Sequence, residues 1–429
     1  MPTFDSESTS KILSFLYTIG IWAYTFAIRI AALFNIKAQK WVKGRANWEH
    51  FFEKASFQNQ TIIWFHCASL GEFEQGRPVI EAFKKQFPTY KILLTFFSPS
   101  GYEIRKNYAG ADWICYLPAD TPANAQRFVA LAKPSLAIFV KYEFWYHYFQ
   151  VLHSRQIPIL SISTIFRENQ SFFKWYGGFY RGLLQLVTHF FVQNQASFRL
   201  LQGIGIKQVT LAGDTRFDRV KQIADARKEV ELVKSFKANS LVFVVGSCWN
   251  EDLDVLLPLI NHPSYLAIKW IIAPHEIHHS EIERWKNSIK RSTTNYSELL
   301  TNELLSNSEV LIIDNVGMLS SLYQYADFAW IGGAYGKGLH NILEAATFGL
   351  PIFFGNNNFQ KFQEANDLIA AGSAWAIKDV PELFDIFQPL YDNEELRKQK
   401  ATISSRYVSS KTGATALIVE FVQNLLRQN

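Results

Sequence analysis

The chain opens with an almost unbroken apolar run, Ile12 to Ile28 (ILSFLYTIGIWAYTFAI), which Arg29 interrupts and Ile30 to Phe34 resumes. That is near the lower limit of the roughly 17–25 residues a helix needs to cross a bilayer. From Thr61 the pattern changes to short, near-continuous apolar segments: TIIWFHCA at Thr61, KILLTFF at Lys91, ADWICYLP at Ala111, SLAIFV at Ser135, ILSIS at Ile159, HFFVQN at His189 and VTLAGD at Val209. Between them, Phe73 to Gln86 and the stretch from Ala123 to Ala132 read as helices. Strands apolar on both faces and separated by helices predict a parallel sheet covered on both sides. Arg219 to Asn239 is charged and polar, and a second series follows it: LVFVVGS at Leu241, AIKWIIAP at Ala267, EVLIID at Glu309, FAWIGG at Phe328 and PIFFG at Pro351. Ala401 to Gln428 reads as helix that returns to the first domain.

The predicted fold is therefore α/β, with two Rossmann-like domains facing a central cleft and an apolar N-terminal helix. The boundaries read as an anchor and basic flank over 1–45, a first domain over 46–222, a linker over 223–240, a second domain over 241–400 and a crossing helix over 401–429. A length of 429 residues exceeds what one core serves, and 48% hydrophobic residues with 36 Phe exclude a disordered chain. The net charge of +5 gives no support for nucleic-acid binding and suits anionic lipid or anionic substrates. Cys67, Cys115 and Cys248 are far apart, with neither CxxC nor Cys/His spacing, so they read as buried reduced thiols in a cytosolic setting.

Lys37, Lys40, Lys43 and Arg45 follow the apolar run, against Lys11 before it, which places the body of the protein on the cytoplasmic side. No small-residue cleavage site stands out behind the run, so it reads as a retained anchor. It is either a single span or a helix lying in the interface with Tyr17, Trp22 and Tyr24 at headgroup level. A soluble helix packed on the domain fits the same residues.

Candidate chemistry concentrates at strand ends. Trp330 to Pro351 (WIGGAYGKGLHNILEAATFGLP) runs from a strand into Gly332-Gly333 and then Gly336-Lys337-Gly338. His340-Asn341 next opens a helix carrying Glu344. Glycines let a ligand approach the backbone, and a helix N-terminus suits a phosphate. Asn341 and Glu344 are one turn apart, and together these features point past an ordinary loop to a nucleotide-sugar site. Gly246-Ser247, after another strand, is a second phosphate-cradle candidate, and Pro274-His275-Glu276 is a candidate ligand-lining loop. His275, His278 and His279 lack the carboxylate–histidine pattern of a zinc site, and no metal is expected.

In the first half, Ser69-Leu70-Gly71-Glu72 follows the first strand, where Glu72 reads as a general base or, equally, as an acid stabilising a helix N-terminus. Glu143 in KYEFW occupies the corresponding position after a later strand, as an acid, a binding group, or a carboxylate satisfied by Lys141 or Arg167. Arg167 is a candidate partner for an anionic sugar or phosphate.

Taken in order, HCASLGE (His66–Glu72), SPSG (Ser98–Gly101), KPSLAIFVKYEFW (Lys133–Trp145), VQNQASFRLLQGIG (Val192–Gly205), AGDTRFD (Ala212–Asp218), DNVGML (from Asp314), LYQYADFAWIGG (to Gly333) and GLHNILEAATFGLPIFFG resemble the Kdo transferases. These are GT-B glycosyltransferases that add 3-deoxy-D-manno-octulosonic acid (Kdo) to lipid A precursors. The resemblance covers nearly the whole chain and implies an inverting, metal-independent transferase without cofactor. It would take CMP-Kdo as co-substrate and a lipid A precursor (lipid IVA) as acceptor, in lipopolysaccharide biosynthesis at the cytoplasmic face of the inner membrane.

The resemblance also implies residue roles. Glu72 maps to the catalytic base, Glu143 to the family's second glutamate, and Gly333, Asn341 and Glu344 to the CMP-binding segment, with Glu344 on the ribose. It makes the first domain the acceptor half and the second the donor half, and Ser69, Gly71, Arg167, Gly246, Ser247, Pro274, His275, Gly332 and His340, read from their places at strand and helix ends, complete the expected binding residues. Two departures stand out. A PRHxxR-like loop whose arginine meets the nucleotide reads PHEIHH here, so that contact is lost or made by His275. A TELWP-like segment reads KYEFWY. Another GT-B nucleotide-sugar transferase or a sugar-nucleotide epimerase is the alternative, and the epimerase has no use for the apolar N-terminus. A catalytically silent binding protein is a third class, against which Glu72 stands.

Overall fold

The computed structural model describes residues 6–54, 57, 60–299 and 307–428. It divides into two compact units, Met1–Arg219 with Thr412–Asn429, and Val220–Lys411. The first unit holds strands β1 (Ile62–Cys67), β2 (Lys91–Phe96), β3 (Trp113–Tyr116), β4 (Pro134–Val140), β5 (Ile159–Thr164), β6 (His189–Val192) and β7 (Val209–Leu211). They form one parallel sheet in the order β3-β2-β1-β4-β5-β6-β7. Every residue of β1 is buried, because both faces carry a core. Ile62 and Trp64 point into one core with Phe128, Phe139 and Tyr148. Ile63, Phe65 and Cys67 point into the other with Phe73, Val79 and Phe96. The period of two along one strand thus sorts neighbouring residues into separate layers.

The second unit repeats the design with β8 (Leu241–Cys248), β9 (Ile268–Pro274), β10 (Thr293–Asn295), β11 (Val310–Ile312), β12 (Phe328–Ile331), β13 (Ile352–Gly355) and β14 (Ala374–Ile377), ordered β10-β11-β9-β8-β12-β13-β14. All its recorded pairings are parallel. Phe243, Trp270, Phe328, Phe353 and Phe387 stack through the middle of its core.

The structure redraws the ends of several expected elements. The helix expected from Phe73 starts at Leu70, because Glu72 reaches back to Ser69 as its cap. The stretch expected to cross back from Ala401 is two helices, Glu394–Ser409 and Ala414–Gln428. Gly413 breaks it at φ +116°, and Asp218 of the AGDTRFD segment accepts from Gly413 N at 2.6 Å and Thr415 N at 2.7 Å. Ile418, Val419 and Val422 then enter the first unit's core. The stretch expected as a linker carries the end of one helix, Thr215–Asp225, and another, Glu231–Lys237, whose Val233 and Phe236 are buried.

The apolar N-terminal run is a helix, Ser6–Ala31, long and apolar enough by composition to cross a membrane over Lys11–Ala31. Its expected interfacial belt needs correcting. Tyr17 does not reach outward, since its hydroxyl donates to buried Asp120 at 2.7 Å. Tyr24, half exposed, lies against Trp41 and Phe97. Trp22 does face outward.

Candidate active site

In an open parallel sheet, ligands settle beyond the C-terminal ends of the two strands where the order reverses. In the first unit those strands are β1 and β4, and the two glutamates picked from the sequence leave from them. Past β1 the chain turns through Ser69 into the Leu70–Gln86 helix, and Glu72 sits in its first turn. Its Oε2 accepts from Ser69 N at 2.7 Å and Ser69 Oγ at 3.0 Å, so the helix-capping role is real. Among the described residues nothing donates to its other oxygen. Burial and the nearby charge of Glu143 raise the Glu72 carboxyl above the ordinary carboxylate range, against the hydrogen bonds from Ser69, which lower it. Gly71 beside it is exposed, and an added methyl would meet nothing nearer than Ser69 Oγ at 4.0 Å. That space is open to a ligand.

Past β4, Lys141 takes a left-handed φ of +66°, rare for a side-chain-bearing residue, and this turns the chain toward Glu143. The Trp145 indole N–H is shared between Glu143 Oε2 at 2.9 Å and His66 Nε2 at 3.3 Å. His66 lies on β1, fully buried, 3.6 Å from the same carboxylate oxygen, with Nδ1 2.8 Å from Thr95 Oγ1. Trp145 and His66, neither expected from the sequence, thus engage the carboxylate for which Lys141 or Arg167 was one suggested partner. Arg167 is exposed past β5, where its backbone N–H bonds Gln170 Oε1 at 3.0 Å.

In the second unit the order reverses between β8 and β12. Fully buried Asp252, which the sequence did not single out, joins the two strand ends. Its carboxylate accepts from Trp249 N at 3.0 Å, Gly333 N at 3.0 Å and Trp330 Nε1 at 3.1 Å. The glycines here serve the protein before any ligand. A Cβ on Gly332 would lie 2.1 Å from Ser247 O and 2.7 Å from Asp252 Oδ2, and Gly246 is backed by the Tyr323 hydroxyl. Gly333 adopts φ +93°, and Ser247 the unusual φ of +52°. These contacts correct the reading of Gly246 and Gly332 as glycines kept open for a phosphate.

Asn341 caps the helix Ile342–Thr347 through Leu343 N at 3.2 Å and donates to Glu344 Oε1 at 3.0 Å, so the expected pairing one turn apart is present. His275, just past Pro274, is stacked between Trp249 (4.5 Å between centroids) and His340 (4.3 Å). Trp249 Nε1 donates to His340 Nε2 at 3.2 Å. Burial and the adjacent His275 push His340 down to about 4, and burial lowers His275. Both shifts favour the neutral rings, so a ligand contact by His275 would be a hydrogen bond from a neutral imidazole. The cation beside the stack is Lys337, with Nζ 4.6 Å from the Trp249 ring centre. His278 lies outside the stack, 3.1 Å from Glu276. Among the described residues no three His, Cys, Asp or Glu side chains gather as a metal-holding group.

Residues 45–219 match the family model described as 3-deoxy-D-manno-octulosonic-acid transferase (kdotransferase). The chain is 26% identical over 346 residues to a 3-deoxy-D-manno-octulosonic acid transferase of Aquifex aeolicus, covering 78% of this chain and 88% of that protein. It is 21% identical over 409 residues to the enzyme of the same name from Haemophilus influenzae, covering 92% and 95%. Among solved structures it superposes on UDP-GlcNAc 2-epimerase from Neisseria meningitidis with a TM-score of 0.58 at 17% identity, over 85% of this chain and all of that one. The structural likeness shows the fold, an α/β chain of GT-B type, and leaves the activity to the site.

Proposed function

We propose that the protein is a Kdo transferase, the family whose model its residues 45–219 match, and that it transfers Kdo from CMP-Kdo to a lipid A precursor, lipid IVA, with Glu72 as general base and inversion at the anomeric carbon. The observation that carries the proposal is the Glu72–Glu143 pair at the strand reversal of the first unit, with Glu72 raised by burial and, among the described residues, one of its carboxylate oxygens without a donor. In the proposed step the acceptor hydroxyl oxygen bonds to the anomeric carbon of Kdo. The bond from that carbon to the CMP phosphate oxygen breaks, CMP leaves with the electron pair, and the hydroxyl proton passes to Glu72. A base at this position contributes about 10²–10⁴-fold. Glu143, held by Trp145 and near His66, orients the acceptor and keeps the Glu72 carboxyl raised.

Asn341 and Glu344 hold the ribose, and Lys337, on the exposed part of the loop after Gly333, takes the phosphate side of CMP. CMP-Kdo is a co-substrate, and the proposed reaction uses no metal or cofactor. The outward apolar face of the Ser6–Ala31 helix holds the protein at the cytoplasmic face of the inner membrane, where the lipid acceptor is found.

The test is an incubation of purified protein with CMP-Kdo and lipid IVA, read by mass spectrometry of the lipid. Addition of Kdo is expected; transfer from a different activated sugar in its place would overturn the donor. Asn341→Ala removes both the Leu343 cap and the hold on Glu344. Its KM for CMP-Kdo is expected to rise about tenfold with kcat within about threefold, the mark of lost ground-state binding. A fall in kcat alone would remove Asn341 from the donor site.

A further inference from the structure

The Ser6–Ala31 helix carries two stripes. Ser14, Tyr17, Thr18, Ile21, Thr25 and Ile28 recur at helical spacing and are sheltered, while Ile12, Phe15, Leu16, Ile19, Trp22, Phe26 and Ile30 are exposed at 41–65%. The sheltered stripe is fastened to the first unit by polar contacts along its length. Tyr17 donates to Asp120 at 2.7 Å, and Thr18 Oγ1 lies 2.9 Å from His147 Nε2. One to two turns on, Tyr24 lies against Trp41 and Phe97. Asp120 in turn accepts from His147 N at 3.1 Å and Tyr148 N at 3.0 Å. A helix standing across the bilayer in this arrangement would draw Asp120, His147 and the packed end of the sheet into hydrocarbon, which is costly for ionisable groups.

The loop holding Ser171–Phe173 leads into the helix Gly178–Leu184, which adjoins the same N-terminal helix, since the Phe179 ring is 6.3 Å from that of Tyr17 and 4.9 Å from that of Tyr146. Beyond Phe173 it displays Trp175, 91% exposed, and Tyr176, 57% exposed, against each other at 5.5 Å. Arg181 Nη1 braces the loop through Phe172 O at 3.2 Å and Lys174 O at 2.7 Å, so these aromatics stand on a built turn. The charge is one-sided. Lys11 to Arg45 contains six Lys and Arg and no Asp or Glu, of which Lys11, Arg29, Lys37, Lys40 and Lys43 are exposed while Arg45 turns inward onto Leu117 O and Phe97 O, and the loop adds Lys174.

We infer that the Ser6–Ala31 helix lies in the plane of an anionic phospholipid leaflet, and that the Trp175–Tyr176 loop enters the same leaflet beside it as a second contact. This rests on the proposed membrane role of the helix and adds its orientation and the loop. A helix of 26 residues laid flat offers about 39 Å of apolar edge, sunk about 5–10 Å below the headgroups. The exposed basic residues meet the anionic surface, and the indole and phenol rings suit the interface.

The test uses the full chain on vesicles of phosphatidylethanolamine and phosphatidylglycerol. Lys11→Cys, Phe26→Cys and Trp175→Cys are each made in a Cys115→Ala background, since Cys67 and Cys248 are buried. Fluorophores at positions 26 and 175 are expected to be quenched most by shallow lipid quenchers. The cysteine at position 11 is expected to react with an impermeant maleimide added on the protein's side. Deep quenching at 26 with position 11 protected would mean a span and overturn the in-plane helix. An unquenched probe at 175 beside a quenched one at 26 would overturn the loop contact. Trp175→Ala should weaken vesicle binding about tenfold with an unchanged melting temperature, and unchanged binding counts against the loop equally. Failure of the full chain to bind vesicles would overturn the membrane role itself, an outcome distinct from the other three.

Discussion

Glu72→Gln is expected to lower kcat for Kdo transfer about 10²–10⁴-fold while KM for CMP-Kdo and the melting temperature stay near wild type. Glutamine is chosen because Glu72 has two jobs. As the third residue of its helix it accepts from Ser69, and an amide oxygen can do the same. Glu72→Ala would lose the cap as well, at about 1 kcal/mol, and confound the result. The pH profile gives an independent readout. The base must be ionised, so kcat/KM falls as pH drops through the Glu72 pKa, and burial and Glu143 place that acid limb above the usual 4.5. Glu143→Gln removes the negative neighbour and should move the limb to lower pH, whatever it does to acceptor binding. Stability runs the other way. Between the usual and the raised pKa the unfolded chain has lost the proton and the folded one has kept it, so stability falls as pH rises across that window. Glu72→Gln flattens this slope. Unchanged turnover by the glutamine variant would remove Glu72 from the chemistry and leave it a helix cap.

Both sheets were legible because parallel strands buried on two faces must be apolar throughout, as Ile62–Cys67 and Leu241–Cys248 are. The strands that escaped, Thr293–Asn295 and Ala374–Ile377, are too short or too polar to show a period. Glu72, Glu143, Asn341 and Glu344 could be singled out as candidates because each follows a strand or opens a helix, and position relative to an element can be read locally. Their partners could not be read in this way. His66 meets Trp145 from 79 residues away, and Asp252 meets Gly333 from 81, because strands adjacent at the sheet reversal are distant in sequence. The neighbours of His275 were hidden for the same reason. Next to a proline after a strand it reads as a ligand contact, and the Trp249 and His340 rings that stack on this exposed side chain come from other loops. Tyr17 and Tyr24 look like interfacial aromatics in a linear apolar run, yet the side of the helix each occupies is set by Asp120, Trp41 and Phe97.

Asp252→Ala is expected to cost about 3–5 kcal/mol of stability in the second unit and to abolish CMP binding by whatever protein remains folded. The carboxylate holds three donors: the backbone N–H groups of Trp249 and Gly333 and the Trp330 indole. All three would be left in a fully buried place, and water would have to follow them into the core or the loops would have to part. Burial pushes the carboxyl upward while these same bonds pull it down, so the group is stable there through its partners. The glycine turn is built around it, since Gly332 leaves out the Cβ that would collide with Asp252 Oδ2 and Ser247 O. Loss of the carboxylate therefore frees the turn that follows β12 and, with it, the approach to Asn341 and Glu344. Asp252→Asn separates the two effects. Its oxygen can still take one or two of the bonds while its NH₂ opposes a donor, so a smaller loss of about 1–3 kcal/mol is expected, with CMP affinity reduced in step. Thermal unfolding and calorimetric CMP titration of both variants make the comparison. Wild-type melting in Asp252→Ala would show that the strand ends hold without it, and wild-type CMP affinity in a destabilised variant would detach the turn from donor binding.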